Sequence, residues 1–516
     1  MKEVGKHSLS KIAFILTAFS VALCTFMETL DLSITNVAIP YIAGDLGVSN
    51  NTGTWVITFF MVGNAIVLPI AGWLAERVGS IRLIILSCFL FGILSVLCGL
   101  AVNFPMLVLS RFFQGVVAGP LIPMSQTILV RIFPKGKSNV AMAVWAVVLL
   151  VGPILGPVVG GWLTESYTWR WIFYINLPVA IFATLTIFIC MRPYMEPFGQ
   201  NKLDWWGLIF LTVGVTCLQI FLDKGRQLDW FQSGTIRMLF STSIVSLILF
   251  AVYEWNHDNP LVDVHLFKIS SFTLGTMVLA ISFLVFYSTV VITPLWLEAF
   301  MGYTSLKAGF CLGTIGIAPL LCAPLVAKIM ETGRFKLMVG GSLFLLSICS
   351  IYLASFNSNI SFERLAWSRF LFGVAAAFYL APASTLPLVQ IPLEKKANAA
   401  GIMQFFRIFF GGAGTAIFTS LWNNRATFYH ERLGTHLTQF SQNLIQLKNK
   451  VVHGLGLNLS QYYSKLNDLV DSQAYMLSTN DMMLLVAVCL LFCSVLVLFI
   501  RVSPFECQAS SKSLGH

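Results

Sequence analysis

A charge placed inside an apolar helix costs about 2.5–3.5 kcal/mol on insertion scales, so such residues are the first candidates for chemistry. Asp31 falls in the apolar run 13–34, with Glu28 one helical turn earlier on the same face. Two nearby carboxylates repel, and such a pair can take up a proton near neutral pH, which proton coupling requires. The competing reading leaves both near the outer end of the helix, wet or paired with a neighbour. Three arginines, Arg111, Arg369 and Arg407, also fall inside apolar runs. Arginine almost never gives up its proton, so each needs a carboxylate or a set of carbonyls nearby. Asp31 is the natural partner for Arg111. A pair that opens and closes with protonation couples an ion to conformation, whereas a permanent pair is only structural.

Two further motifs bear on movement. GPILGPVVGG, residues 152–161, sets Gly152, Gly156 and Gly160 four apart, a smooth stripe for close helix packing. Pro153 and Pro157 each remove a backbone hydrogen bond and favour bending, so a hinge or gate is expected here beside plain tight packing. The loop 72–82, GWLAERVGSIR, is short and basic, and Gly79 permits a sharp turn. Gly72, Glu76, Arg77, Gly79 and Arg82 form a candidate latch between neighbouring helix ends, with plain topogenic charge as the alternative. His257, Asp258, Asp263 and His265 are too loosely spaced for a metal site, and none is expected. Ten of the 11 cysteines lie in apolar runs without metal-like pairing and read as small buried hydrophobes, Cys507 being the exception.

The elements that must position these residues are membrane spans. Of 516 residues 57% are hydrophobic and 10% charged, against about 25% charged in soluble domains. The bilayer must be the solvent. The net charge of +10 comes from basic residues scattered singly in short loops, which points to topology and not to nucleic acid. About 20 apolar residues cross the hydrocarbon. Fourteen runs qualify: 13–34, 55–72, 83–102, 106–128, 140–163, 171–191, 205–222, 236–253, 272–295, 308–330, 337–354, 365–389, 399–421 and 482–500. The first follows Lys2, Lys6 and Lys11 but is too long for a signal peptide, lacks a convincing cleavage site, and reads as a first span.

The chain also contains a faint copy of itself, displaced by about 255–259 residues. Pro69 overlies Pro324, Glu76 overlies Glu331, and SRFFQG at 110–115 overlies SRFLFG at 368–373. Asn139, Gly152 and Trp162 fall near Asn398, Gly411 and Leu421. The expected architecture is an all-α polytopic fold of two six-helix bundles related by an axis along the membrane normal, with a two-helix insert between them. The divisions are a tail at 1–12, a bundle at 13–191, an insert with flanking loops at 192–271, a bundle at 272–501 and a tail at 502–516. A long external loop is expected at 422–481, with a short amphipathic helix through Leu444, Leu447, Val451 and Leu455. With the N-terminus inside, about 18 basic residues lie on the inner side, among them Arg131, Lys135, Lys137, Lys395 and Lys396, and about 6 in the outer short loops. Both termini are therefore expected in the cytoplasm.

These segments together resemble the major facilitator superfamily, and within it the fourteen-span drug:proton antiporters of the EmrB type. LDLSITNVAIP at 30–40 is similar to that group's helix-1 motif, GWLAERVG to the superfamily's loop motif, RFFQG to its helix-4 arginine motif and GPILGPVVGG to its antiporter motif. WRWIFYINLP at 169–178, LDKGRQLDWF at 222–231 and DNPLVDVHLF at 258–267 extend the likeness over about residues 10–505. The resemblance implies that Asp31 is the helix-1 acid needed for transport, that Arg111 takes part in proton transfer, and that Gly152, Pro153, Gly156 and Pro157 form the antiporter hinge. Glu76 stands where the family usually has Asp, and Ser80 and Ile81 replace basic residues. Glu28 lies outside the family motif.

The function so implied is export of amphipathic, lipophilic toxic compounds across a bacterial inner membrane by alternating access. A proton gradient is the energy source and no cofactor is needed. A periplasmic adaptor and an outer-membrane channel are the implied partners. A dedicated exporter of one metabolite or siderophore is the alternative. A membrane enzyme or receptor would need a cluster of catalytic groups or a sizeable soluble domain, and neither stands out.

Overall fold

The computed structural model describes residues 10–134, 137–199, 204–225, 227–257, 260–392, 395–435, 437 and 458–501. The amphipathic helix expected through Leu444, Leu447, Val451 and Leu455 falls outside them, as do Lys135 and Asp258.

Fourteen spans emerge among the described residues when one bent pair is taken as a single crossing. They are α1 (Lys11–Asp45), α2 (Trp55–Val67 then Ala71–Val78), α3 (Ser80–Gly99), α4 (Phe104–Ala118 then Leu121–Ile132), α5 (Ser138–Ser166), α6 (Trp171–Tyr174 then Asn176–Met191), α7 (Trp205–Lys224), α8 (Gly234–Asn256), α9 (Ser270–Ala299), α10 (Ser305–Met330), α11 (Phe335–Ala354), α12 (Phe362–Thr385), α13 (Lys396–Thr435) and α14 (Leu459–Leu498). Short polar residues start many of them by accepting from orphan backbone donors. Ser10, Asn103, Asp204, Thr304 and Ser361 do so for α1, α4, α7, α10 and α12. Asn458 and Gln461 form a reciprocal capping box at α14. The two pieces of α2 meet at 59° around Pro69, whose ring cannot continue the hydrogen-bond ladder.

The packing repeats as the sequence does. In the first bundle α1 lies on α5, α2 on α4 and α3 on α6; in the second α9 lies on α13, α10 on α12 and α11 on α14. The repeat reaches single glycines. A Cβ on Gly115 would enter the Phe60 carbonyl, and one on Gly373 the equivalent Ile315 carbonyl. Gly152 is pressed against Thr29, and Gly411 against Tyr287. The bundles meet through α5 on α10 and α2 on α13, contacts that a two-fold axis exchanges. The insert packs on itself, and α7 also rests on α2 and α13. Apolar side chains of α3, α6, α11 and α14, such as Phe89, Ile189, Phe344 and Val488, stay exposed, as lipid-facing surface must.

The expected external loop 422–481 is shorter than the sequence implied. Residues to Thr435 continue α13, and α14 begins at Leu459. Hydropathy ends where the membrane ends, whereas a 40-residue helix spans about 60 Å and must project beyond the hydrocarbon. Polar pairs hold the projecting ends together: Arg425 with Asp481 at 3.0 Å, His430 with Asp471 at 2.8 Å, and Tyr429 donating to Asp481 at 2.9 Å.

Candidate functional site

Asp31 and Arg111 meet inside the first bundle, both fully buried, with Arg111 Nη1 2.5 Å from Asp31 Oδ2. The other Asp31 oxygen accepts from Asn176 Nδ2 of α6 at 2.9 Å, and Asn176 also reaches Ser95 Oγ of α3 at 3.1 Å. Arg111 further donates to Gln114 Oε1 at 2.8 Å and to the Val56 carbonyl at 3.1 Å. Its guanidinium lies 4.2 Å from the Phe60 ring centroid. Five spans, α1, α2, α3, α4 and α6, thus converge on one ion pair. In so dry a place the pair persists because most of its other donors and acceptors are met, Arg111 Nη2 being left open among the described residues, and removing one partner strands the other.

Glu28 does not share this site. Residues three apart on a helix diverge by about 60°, and that angle is enough to separate them. Glu28 accepts from Asn64 Nδ2 of α2 at 2.7 Å, while its Oε2 has no hydrogen-bond partner among the described residues. It faces the second bundle, where its charge is felt by Arg407. The expected repelling pair is therefore two sites, one within a bundle and one at the boundary. Arg369 occupies the position equivalent to Arg111 but donates to a neutral oxygen, Thr293 Oγ1, at 2.7 Å. The second bundle carries no copy of the Asp31 carboxylate at this point: Thr289 stands at the matching distance from Arg369.

The glycine stripe of α5 faces α1. A Cβ on Gly156 or Gly160 would run into Ser33 or Ile34. Pro157 has no N–H to offer the carbonyl of Pro153, and Ser33 Oγ supplies the missing donor at 2.8 Å. Despite two prolines α5 runs unbroken from Ser138 to Ser166.

The loop 72–82 is held by a residue that sequence reasoning missed. Glu196, after α6, pairs with Arg131, accepts from the Ser80 N–H at 2.7 Å, and gives its carbonyl to Arg82 at 2.5 Å. Gly79 adopts φ 92°, a conformation that disfavours any side chain. The Arg77 carbonyl accepts from Gly199 N, its guanidinium lies over Trp73, and the Glu76 carbonyl abuts Gly199. Gly72 faces Gly401 of α13 across the boundary between bundles. Nearby, His265 and Lys395 both approach Asp263, while His257 approaches Asp204. No group of three such side chains among the described residues could hold a metal ion.

Two pseudo-symmetric six-helix bundles that meet through a two-fold pair of helix contacts, with a buried acid–arginine pair in the first, have the build of a polytopic carrier. The sequence profile of the Major Facilitator Superfamily matches residues 21–416, and the chain belongs to that superfamily. It is similar to the Multidrug export protein EmrB of Escherichia coli, 36% identical over 90% of this chain and 91% of that one. The protein of the same name from Haemophilus influenzae is also 36% identical, over 96% and 97% of the two chains. Among solved structures, a bacterial homologue of the human lysosomal transporter Spinster, inward-facing and occupied, superposes with a TM-score of 0.55. At 14% identity, over 96% of this chain and 100% of that one, the likeness is one of fold.

Proposed function

We propose that the protein is a proton-driven multidrug exporter of a bacterial inner membrane. The observation that carries this reading is the fully buried Asp31–Arg111 pair with Asn176 as its second support. Protonation turns one Asp31 oxygen into a donor and removes the charge that Arg111 faces. Arg111 keeps Gln114 and Val56, so the guanidinium stays in place while α1 loosens from α4. Because α1 is locked to α5 by the glycine stripe, its displacement passes to α5 and on to α10 across the boundary. The two bundles rock about the α2–α13 and α5–α10 contacts and open the centre to either side in turn. The EmrB relatives are named multidrug export proteins, which supports drugs as cargo. No chemical conversion of the cargo and no cofactor enter this reading; the proton gradient is the energy source.

Both termini lie in the cytoplasm on this reading, which the excess of Lys and Arg in alternate loops supports. The projecting ends of α13 and α14 then lie outside, where they offer a periplasmic adaptor leading to an outer-membrane channel a paired helical surface. Antiport requires that drug binding release a proton. 8-Anilinonaphthalene-1-sulfonate, a lipophilic dye, added to purified protein in weakly buffered detergent solution should acidify it, as read by a pH indicator. Asp31→Asn should bind the dye and release nothing. Dye binding without proton release in the parent protein would sink the antiport reading.

A further inference from the structure

Resting on the exporter reading, we propose that Arg407 seats an anionic group of the transported compound at the boundary between the bundles. Arg407 lies on α13 and is 1% exposed, yet none of its three side-chain nitrogens has a hydrogen-bond partner among the described residues. A guanidinium stripped of water and left with open donors is costly, and the cost falls when an acceptor arrives. Other buried polar groups surround it. Among the described residues Trp145 Nε1 of α5 is a buried donor without an acceptor, and the Tyr379 hydroxyl of α12 is a further buried polar group. The Trp145 ring lies 6.0 Å from the guanidinium, and Tyr379 is close enough for the two groups to interact electrostatically. Donors outnumber acceptors, which suits a carboxylate or sulfonate and not a cation.

The seat is also amphipathic. The Phe283 ring of α9 lies 5.1 Å from the guanidinium and lines an apolar cavity with Leu150, Phe286, Phe372, Tyr379 and Leu380. In this conformation the cavity, lined by the second bundle apart from Leu150, is closed down to about 20 Å³, so admitting an apolar group requires its lining helices to part. The fitting ligand is an organic anion with an aromatic or aliphatic body. The internal competitor for Arg407 is Glu28, whose Oε2 is likewise unpartnered among the described residues and whose charge Arg407 feels. Tyr287 stands within electrostatic range of both. Arg407 and Glu28 come from opposite bundles, so an anion that takes over the guanidinium also weakens an attraction across the boundary.

The test is equilibrium dialysis of the full chain in lipid nanodiscs, with empty nanodiscs subtracted. The probes are 1-naphthaleneacetate and its uncharged analogue 1-naphthaleneacetamide. The parent protein should bind the acetate about tenfold or more tightly than the amide, the scale of one charge-assisted hydrogen bond. Arg407→Gln should erase that preference. Measured at pH 9, Glu28→Gln should strengthen acetate binding severalfold by removing the competing carboxylate, and it tests the seat even where Arg407→Gln does not fold. Equal affinity of the parent for both probes overturns the proposal. So does a preference that survives Arg407→Gln, or acetate affinity unchanged in Glu28→Gln. A protein that keeps the preference but moves no dye under a pH gradient leaves this seat standing and removes the exporter reading instead.

Discussion

Asp31 and Arg111 could be paired on paper because each is an unaffordable charge alone in an apolar run, and an opposite charge is the simplest remedy. Their supports could not. Asn176 and Gln114 are uncharged polar residues that draw no notice in a sequence, and only the convergence of α3, α4 and α6 turns them toward the pair. Glu28 illustrates the same limit: helical spacing places it near Asp31, but which helix it faces depends on packing. The geometry of Arg111 makes lysine a poor substitute. A lysine could keep the ion pair but not also reach Gln114 and the Val56 carbonyl. Arg111→Lys should lower stability by about 1.5–3 kcal/mol, the scale of hydrogen bonds to charged groups. Thermal unfolding in detergent reads this; a melting temperature equal to the parent's contradicts it.

At the scale of the element, α5 joins rigidity to a weak point. The stripe of Gly152, Gly156 and Gly160 brings α1 into backbone contact, and Ser33 satisfies the carbonyl that Pro157 leaves open. Ser33→Ala orphans that buried carbonyl and should cost about 1–3 kcal/mol. Its measurable sign is faster amide hydrogen exchange confined to the 150–160 segment; unchanged exchange there would remove Ser33 from the account. The stripe itself was legible, because small residues at fixed spacing have one common use in membranes. The length of α13 and α14 was not, since the polar residues beyond the bilayer carry no hydropathy signal. Their helices persist through Asn458 capping and the Arg425–Asp481 and His430–Asp471 pairs. Glu196 governs the loop 72–82 from more than a hundred residues away, a contact with no local signature. Glu196→Gln should leave the fold intact but weaken the pairing with Arg131, reducing transport several-fold while drug binding persists. Transport at the parent rate would assign the loop to topology alone.

For the whole molecule, the internal repeat gave the architecture because duplicated packing demands duplicated glycines: Gly115 with Gly373, and Gly152 with Gly411. The halves have diverged in charge. Arg111 meets a carboxylate where Arg369 donates to the neutral Thr293 hydroxyl, so the buried ion pair stands in one bundle while Arg407 stands in the other. Rocking of one against the other must separate Gly72 from Gly401, which face each other at the end of the α2–α13 contact. Cysteines placed at both positions in a background without native cysteines should form a disulfide under mild oxidation. Transport should then stop and return on reduction. Full transport by the crosslinked protein would mean that this contact does not open.

The central claim is that protonation of one buried carboxylate drives the cycle. It is tested most directly in proteoliposomes of purified protein under an imposed pH gradient, following fluorescent lipophilic dyes for the parent and for Asp31→Asn. The account expects gradient-dependent dye movement by the parent, and none by the variant although it still binds dye. Gradient-driven movement at the parent rate by Asp31→Asn would contradict it and place the coupling proton elsewhere.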